Sequence, residues 1–224
     1  MTADQEKKQA ALEAVKYIED NMVVGLGTGS TAKHMIKAVG ALVAKGMNLT
    51  CVPSSDATEK LAKELGIKIV ALDEIEKIDV TIDGADEFDA NFQLIKGGGG
   101  ALLREKILAW NTKFNIIIAD SSKDVEKLGA FKLPLEVIPF ATKQIITFLE
   151  EEGLKPVQRM KGNEPYRTDE NNNIVDVDIF DVDDLKALEI KLLKVPGIVE
   201  TGLFLDTTSL IIVGKEDGPE IKKR

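Results

Sequence analysis

The sequence predicts an α/β fold, a mostly parallel doubly wound sheet, with a smaller ferredoxin-like α+β domain inserted before the last strand. Three observations predict it. Short apolar runs alternate with helical patterns up to about residue 130, and strands apolar throughout belong to a sheet covered on both faces. After Leu133 the rhythm becomes strand, helix, strand, strand, helix, strand, the order of a split βαβ unit. A last apolar run, Ser209 to Val213, is then expected to return to the first sheet.

Each element follows from its local pattern. Asp4 to Asp20 places Ala11, Leu12, Val15 and Ile18 on one helical face. Val23 to Leu26 is a short apolar strand, followed by a Gly/Thr/Ser turn and a helix through Lys33 to Val39. Leu49 to Val52 is the next strand and Thr58 to Leu65 the next helix. Ile67 to Leu72, Val80 to Ile82 and Asn115 to Ala119 are further strands, and Leu102 to Trp110 is helical. In the second rhythm the strands are Leu135 to Ile138, Lys155 to Met160, Ile174 to Ile179 and Ile198 to Leu205. Its helices are Thr142 to Glu152 and Asp183 to Leu193. The expected domains are therefore 1–130 with 207–224, and 131–206. The polar loop from Asp169 to Asn173 carries no functional signal.

Composition narrows the function. Hydrophobic residues make up 44% and charged residues 30% of 224, an ordinary globular balance. A net charge of −9 with both signs interspersed is a poor match to a phosphate backbone, so nucleic-acid binding is not expected. No apolar run is long enough to span a membrane, and a cytoplasmic protein is expected. Cys51 is the only cysteine and His34 the only histidine. Neither an internal disulfide nor a Cys/His metal site is therefore expected. Both side chains read as packing residues.

Four stretches, each at or just after an expected strand, carry the chemistry, and open α/β sheets gather ligands at carboxyl strand ends. Gly25-Leu26-Gly27-Thr28-Gly29-Ser30-Thr31-Ala32 offers inward-turned amides and two hydroxyls at a helix N-terminus, a phosphate cradle in physical terms. It lacks the lysine of a P-loop and the third glycine of a dinucleotide fingerprint. Ser54-Ser55-Asp56-Ala57-Thr58 reads as an ordinary helix cap. Asp83-Gly84-Ala85-Asp86-Glu87 sets two carboxylates three residues apart at a strand end, where crowding splits proton affinities; a metal pair, which the lack of partner histidines counts against, and a solvated acidic turn are the alternatives. Lys96 then precedes four glycines, Gly97 to Gly100, with Glu105 early on the following helix. Such a run is costly in chain entropy and implies a close backbone approach. Asp120-Ser121-Ser122-Lys123 closes another strand, with Lys123 in reach of a substrate oxygen or phosphate.

Taken together, the motifs at Gly25–Thr31, Asp83–Glu87 and Lys96–Lys106 closely resemble the ribose-5-phosphate isomerase A family. Ser54–Thr58, Leu133–Pro139 and Pro196–Val199 resemble it too, in the same order, so the resemblance covers nearly the whole chain. It implies a homo-oligomeric enzyme, a homodimer or homotetramer, that needs no metal or cofactor. The implied reaction interconverts ribose 5-phosphate and ribulose 5-phosphate in the pentose phosphate pathway, with a sugar phosphate as the partner. It implies Glu105 as general base, with Asp83, Asp86 and Lys96 as the other catalytic residues. It implies substrate contacts at Thr28, Gly29, Ser30, Thr31, Gly84, Ala85, Gly97, Gly98, Gly99 and Lys123. Residues 131–206 would serve oligomerisation and the rim of the active site.

The residue types suit that chemistry on their own. Moving a proton between C2 and C1 through an enediolate needs a positioned carboxylate and a cation beside the developing oxyanion. Glu105 and Lys96 can supply them, and Asp83 or Asp86 can handle hydroxyl protons. A non-catalytic sugar-phosphate sensor or a CoA-transferase-like protein is the alternative. A sensor would need the phosphate cradle but no base at Glu105.

Overall fold

The computed structural model describes residues 1–224. Its helices are α1 (Ala3–Ala14), α2 (Ser30–Ala44), α3 (Asp56–Glu64), α4 (Leu102–Trp110), α5 (Thr142–Glu151) and α6 (Leu185–Leu193). The strands begin with β1 (Val23–Leu26), β2 (Thr50–Pro53), β3 (Ile78–Gly84), β4 (Glu87–Phe88) and β5 (Leu94–Ile95). They continue with β6 (Thr112–Asp120), β7 (Leu133–Val137), β8 (Val157–Gln158), β9 (Met160–Lys161) and β10 (Glu164–Pro165). The last are β11 (Asn173–Val177), β12 (Ile198–Thr201), β13 (Leu203–Phe204), β14 (Leu210–Gly214) and β15 (Glu220–Lys223). Two compact units result. The first holds Met1–Ala85, Arg104–Asp124 and Asp206–Arg224, and the second holds Asp86–Leu103 and Val125–Leu205.

The first unit is built on a six-stranded sheet in the order β15-β14-β6-β3-β1-β2. Its pairings are parallel except that of β14 with β15. Val24, Leu26, Ile82, Ile116, Ile118 and Ile212 form a core with Ala10, Ala11 and Ala14 of α1 and Met35, Ile36 and Val39 of α2. Alanines let α1 lie close to the sheet, and a capping box between Thr2 and Gln5 starts it. Here the helical face expected from the sequence shifts: Leu12 is 47% exposed, and Ala10 and Ala14 are buried in its place.

The second unit contains a four-stranded antiparallel sheet in the order β12-β7-β11-β8. Counted from β7, this places the fourth strand beside the first, then the third and the second, with α5 and α6 as the two crossovers. That is ferredoxin-like topology. Leu133, Leu135, Val137, Val175 and Val177 pack with Ile145 and Leu149 of α5 and Leu188 and Leu192 of α6. A three-stranded sheet, β13-β5-β4, belongs to the same unit.

Several elements differ from the sequence expectation. Ile67 to Leu72 is not a strand; one parallel bridge joins Ile69 to Cys51, and a 3-10 turn begins at Leu72. Lys155 to Met160 contributes only Val157–Gln158 to the four-stranded sheet, because Met160–Lys161 pairs with β10 instead. Asp86–Leu103, read by its rhythm as part of the first domain, lies in the second unit. The run Ile198 to Leu205 breaks into two strands in two sheets at Gly202. There the backbones meet: Lys96 N–H donates to Gly202 O at 2.9 Å. A Cβ on Gly202 would lie 2.3 Å from Lys96 O and 2.9 Å from Pro134 Cδ.

Gly202→Ala is therefore expected to destabilise the protein by about 1–3 kcal/mol through overpacking. Thermal unfolding should show a midpoint lower by at least about 2 °C; an unchanged midpoint would contradict the close approach.

Candidate functional site

In the first unit the candidate stretches leave the carboxyl ends of neighbouring parallel strands. Leu26 is in register with both Pro53 and Ile82, and Asp83 with Ile117. Residues 27–31, 54–58, 83–85 and 120–123 thus emerge along one edge of the sheet. Gly29 (φ +114°) caps α2, and Lys33 N–H is the first to bond back, to Gly29 O at 3.0 Å. The first-turn amides of Ser30, Thr31 and Ala32 precede that bond and face the positive end of the helix, where an anion is favoured.

Asp83 organises this edge. It is 4% exposed, and its Oδ1 accepts the N–H groups of Thr28 at 3.0 Å and Gly84 at 2.7 Å. Gly27 makes room for it, since a Cβ there would lie 2.0 Å from that same oxygen. The Thr28 hydroxyl lies 2.7 Å from Ser54 Oγ and 3.2 Å from Thr58 Oγ1, and it donates to Ser55 Oγ at 2.8 Å. Thr58 in turn donates to Gly27 O at 2.9 Å. Ser55 also caps α3 by accepting the Thr58 N–H at 3.1 Å. The stretch read as a plain cap is thus also the shelf beneath Thr28.

Glu105 lies in the first turn of α4 and is only 5% exposed. Lys123 sits half-buried in the 3-10 turn after β6. That turn is tied to α1 by the Glu6 carboxylate, which accepts the Ser121 N–H and hydroxyl, each at 2.8 Å. These bonds, backbone first, hold the Glu6 carboxyl below its ordinary range. Lys7, beside it, places Nζ 3.9 Å from Asp120 Oδ2 at the end of β6. Lys7 did not stand out in the sequence, where nothing distinguishes one lysine among several on an amphipathic helix.

In the second unit the structure joins Asp86 to the glycine run. Its backbone N–H donates to Ile95 O at 2.9 Å, and its Oδ2 accepts the Gly98 N–H at 2.7 Å. Gly98 and Gly99 are exposed, whereas Gly97 is buried. Lys96 is 3% exposed, with Nζ 5.4 Å from the centroid of the Phe204 ring, a cation–π distance. Arg159 donates to the carbonyls of Gly97 and Gly98, and Tyr166 to that of Gly99. Neither stood out in the sequence.

Three other residues are settled by their surroundings. Glu87, next to the aspartate pair, is buried and accepts the amides of Gly129 and Phe131, a structural task. His34 pairs with Asp4 at 2.9 Å at the start of α1. Burial pushes the Cys51 thiol up to about 12, which leaves it unreactive. The loop read as uninformative is also anchored: Thr168 and Asn172 each donate to Oε1 of buried Glu136 at 2.9 Å. Burial raises the Glu136 carboxyl, and these two donors oppose that rise.

These motifs have relatives. A family model described as ribose 5-phosphate isomerase A (phosphoriboisomerase A) matches residues 50–218. A ribose-5-phosphate isomerase A of Limosilactobacillus reuteri is 50% identical over 217 residues, covering 96% of each chain. One from Desulfatibacillum aliphaticivorans is 50% identical over 216 residues, 95% of this chain and 94% of the relative. A solved D-ribose-5-phosphate isomerase in complex with phospho-erythronic acid superposes with a TM-score of 0.96, at 41% identity over 100% of both chains. Ribose 5-phosphate isomerase A of Methanocaldococcus jannaschii superposes with a TM-score of 0.95, at 38% identity over 100% of both chains. The chain belongs to the ribose-5-phosphate isomerase A family.

Proposed function

We propose that this protein interconverts D-ribose 5-phosphate and D-ribulose 5-phosphate, with Glu105 moving the proton between C2 and C1. The observation that carries the assignment is the buried carboxylate of Glu105, directly behind the glycine run in a chain of this family. The C2 hydrogen of the open-chain aldose is a weak acid, and its removal leaves an enediolate with charge on O1 and O2. A carboxylate held away from water is a suitable base, and a fixed cation stabilises the oxyanion as it forms. Lys96 supplies that cation. Asp83 and Asp86 handle the hydroxyl protons that open the furanose and shift charge between O1 and O2. Both are held by backbone amides, so their orientation is set before substrate arrives.

Gly29, Ser30 and Thr31 hold the phosphate at the start of α2, with Thr28 steadied from below and Lys7 and Lys123 adding positive charge. Gly84, Ala85 and Gly97 to Gly99 approach the sugar with backbone alone. A relative is solved with phospho-erythronic acid, a phosphorylated sugar acid whose planar carboxylate matches an enediolate in shape and charge. That match favours catalysis over a sensor, which would need no buried base. The enzyme acts in the cytoplasm as a homo-oligomer. Phe140, 96% exposed in the second unit, is the kind of apolar surface a second copy would cover.

Two variants test the assignment in a coupled assay of ribulose 5-phosphate formation with EDTA present. Glu105→Gln keeps the shape but not the basicity, so kcat should fall about 10²–10⁴-fold while KM changes far less. Lys96→Ala should lower kcat and raise KM together, because the charge also helps hold the ground state. A Glu105→Gln enzyme with wild-type turnover would remove the assignment.

A further inference from the structure

We propose that Arg159 and Tyr166 are positioning residues that fix the peptide planes of Gly97 to Gly100 and, through them, the carboxylate of Asp86. All seven residues lie in the second unit. The inference rests on the reading of Asp86 and the glycine run as parts of the isomerase site.

Four glycines have no side chains by which to be held, so only carbonyls and amides can order them. The structure holds three successive carbonyls. Arg159 Nη1 donates to Gly97 O at 2.8 Å and Gly98 O at 3.1 Å, and Tyr166 Oη donates to Gly99 O at 3.1 Å. No peptide bond in the chain is cis, and in a trans peptide the C=O and the following N–H point to opposite sides. Holding Gly97 O on Arg159 therefore turns the Gly98 N–H the other way, where it meets Asp86 Oδ2 at 2.7 Å. Holding Gly98 O turns the Gly99 N–H away from Arg159. The Gly100 N–H closes the turn on Gly97 O at 3.0 Å. One guanidinium thus sets two peptide planes, and the first of these steadies Asp86.

Arg159 can do this because it is itself held on three sides. Its Nε donates to Asp176 Oδ2 at 2.9 Å and its Nη2 to Asp176 Oδ1, a bidentate fork. Asp176 is in register with Val157 on the adjacent strand β8, and the Arg159 N–H donates to Ile174 O at 2.8 Å. The Tyr166 N–H donates to Arg159 O at 2.9 Å, and its ring lies 5.9 Å from the guanidinium. A lysine could reach one of these partners but not grip the carboxylate and two carbonyls together.

The test uses Arg159→Ala, Arg159→Lys and Tyr166→Phe. Arg159→Ala should lower kcat about 10²-fold, the cost of a small misplacement at a reacting centre. Arg159→Lys should do little better. Tyr166→Phe should cost about fivefold, one hydrogen bond's worth, with its fold intact. Millimolar ethylguanidinium should restore part of the lost kcat to Arg159→Ala, raising its melting temperature only by the small amount that weak binding gives, and leave the wild-type rate unmoved. Alanine and phenylalanine variants near the wild-type kcat would overturn the inference, and so would a loss that ethylguanidinium does not relieve. Should Arg159→Ala not fold, Tyr166→Phe and Arg159→Lys decide the matter by the same kinetics. A readout independent of activity is amide hydrogen exchange. The Gly98 and Gly100 N–H groups should exchange at least about tenfold faster in Arg159→Lys than in wild type. Unchanged exchange would overturn the clamp even if the isomerase reading stands, and faster exchange in a chain without isomerase activity would leave the clamp standing and remove that reading instead.

Discussion

The bond between the Asp83 carboxylate and the backbone amides of Thr28 and Gly84 is the constraint on which the candidate site's edge of the first unit depends. A buried carboxylate must be satisfied by donors, and here two donors come from different strand ends, Thr28 just after β1 and Gly84 as the last residue of β3. The bond fixes where α2 can begin, and so where its first-turn amides lie, the place proposed for the phosphate. It also explains the residue at position 27, where any side chain would occupy the carboxylate's place. Ser54, Ser55 and Thr58 then complete the arrangement from the next strand over. The carboxylate proposed to take part in the chemistry is in this way also a structural anchor.

The second unit repeats this logic with different partners. Asp86 accepts a glycine amide, and the carbonyl of the same peptide is held from the other side by Arg159. The aspartates flanking Gly84 and Ala85 therefore share a design: each carboxylate is aimed by backbone donors whose own orientation is fixed by further bonds. Such pre-set donors and acceptors need no rearrangement during reaction, and this is where electrostatic catalysis gains most. Glu87, one residue on, shows the contrast. Its carboxylate is spent on Gly129 and Phe131 and holds a loop.

Much of this was legible in the sequence, for local reasons. The strand-turn-helix at Val23 to Ala38, the acidic turn at Asp83 to Glu87 and the glycine run each announce themselves within about a dozen residues. The division of strands between a parallel sheet and a ferredoxin-like unit followed from the change of rhythm at Leu133. What remained hidden depends on distant pairing. Arg159 and Asp176 meet because β8 and β11 are neighbours, which no spacing reveals. Strand β15, Glu-Ile-Lys-Lys, is polar and paired only at the sheet's edge, so it carries no apolar signal. Ile67 to Leu72 misled in the opposite sense, because its apolar side chains pack under the sheet edge while its backbone makes one bridge. Lys7 has no motif at all; its place is set by α1 docking on the turn after β6.

In the proposed reaction one carboxylate, Glu105, carries the proton between adjacent carbons while the aspartates and Lys96 prepare and stabilise the enediolate. The most direct measurement is exchange of the C2 hydrogen of ribose 5-phosphate with solvent, followed by NMR in D₂O for wild type and Glu105→Gln. The variant is expected to lose exchange and isomerisation together, with sugar-phosphate binding retained. Exchange at the wild-type rate in Glu105→Gln would contradict it and move the base to Asp83 or Asp86.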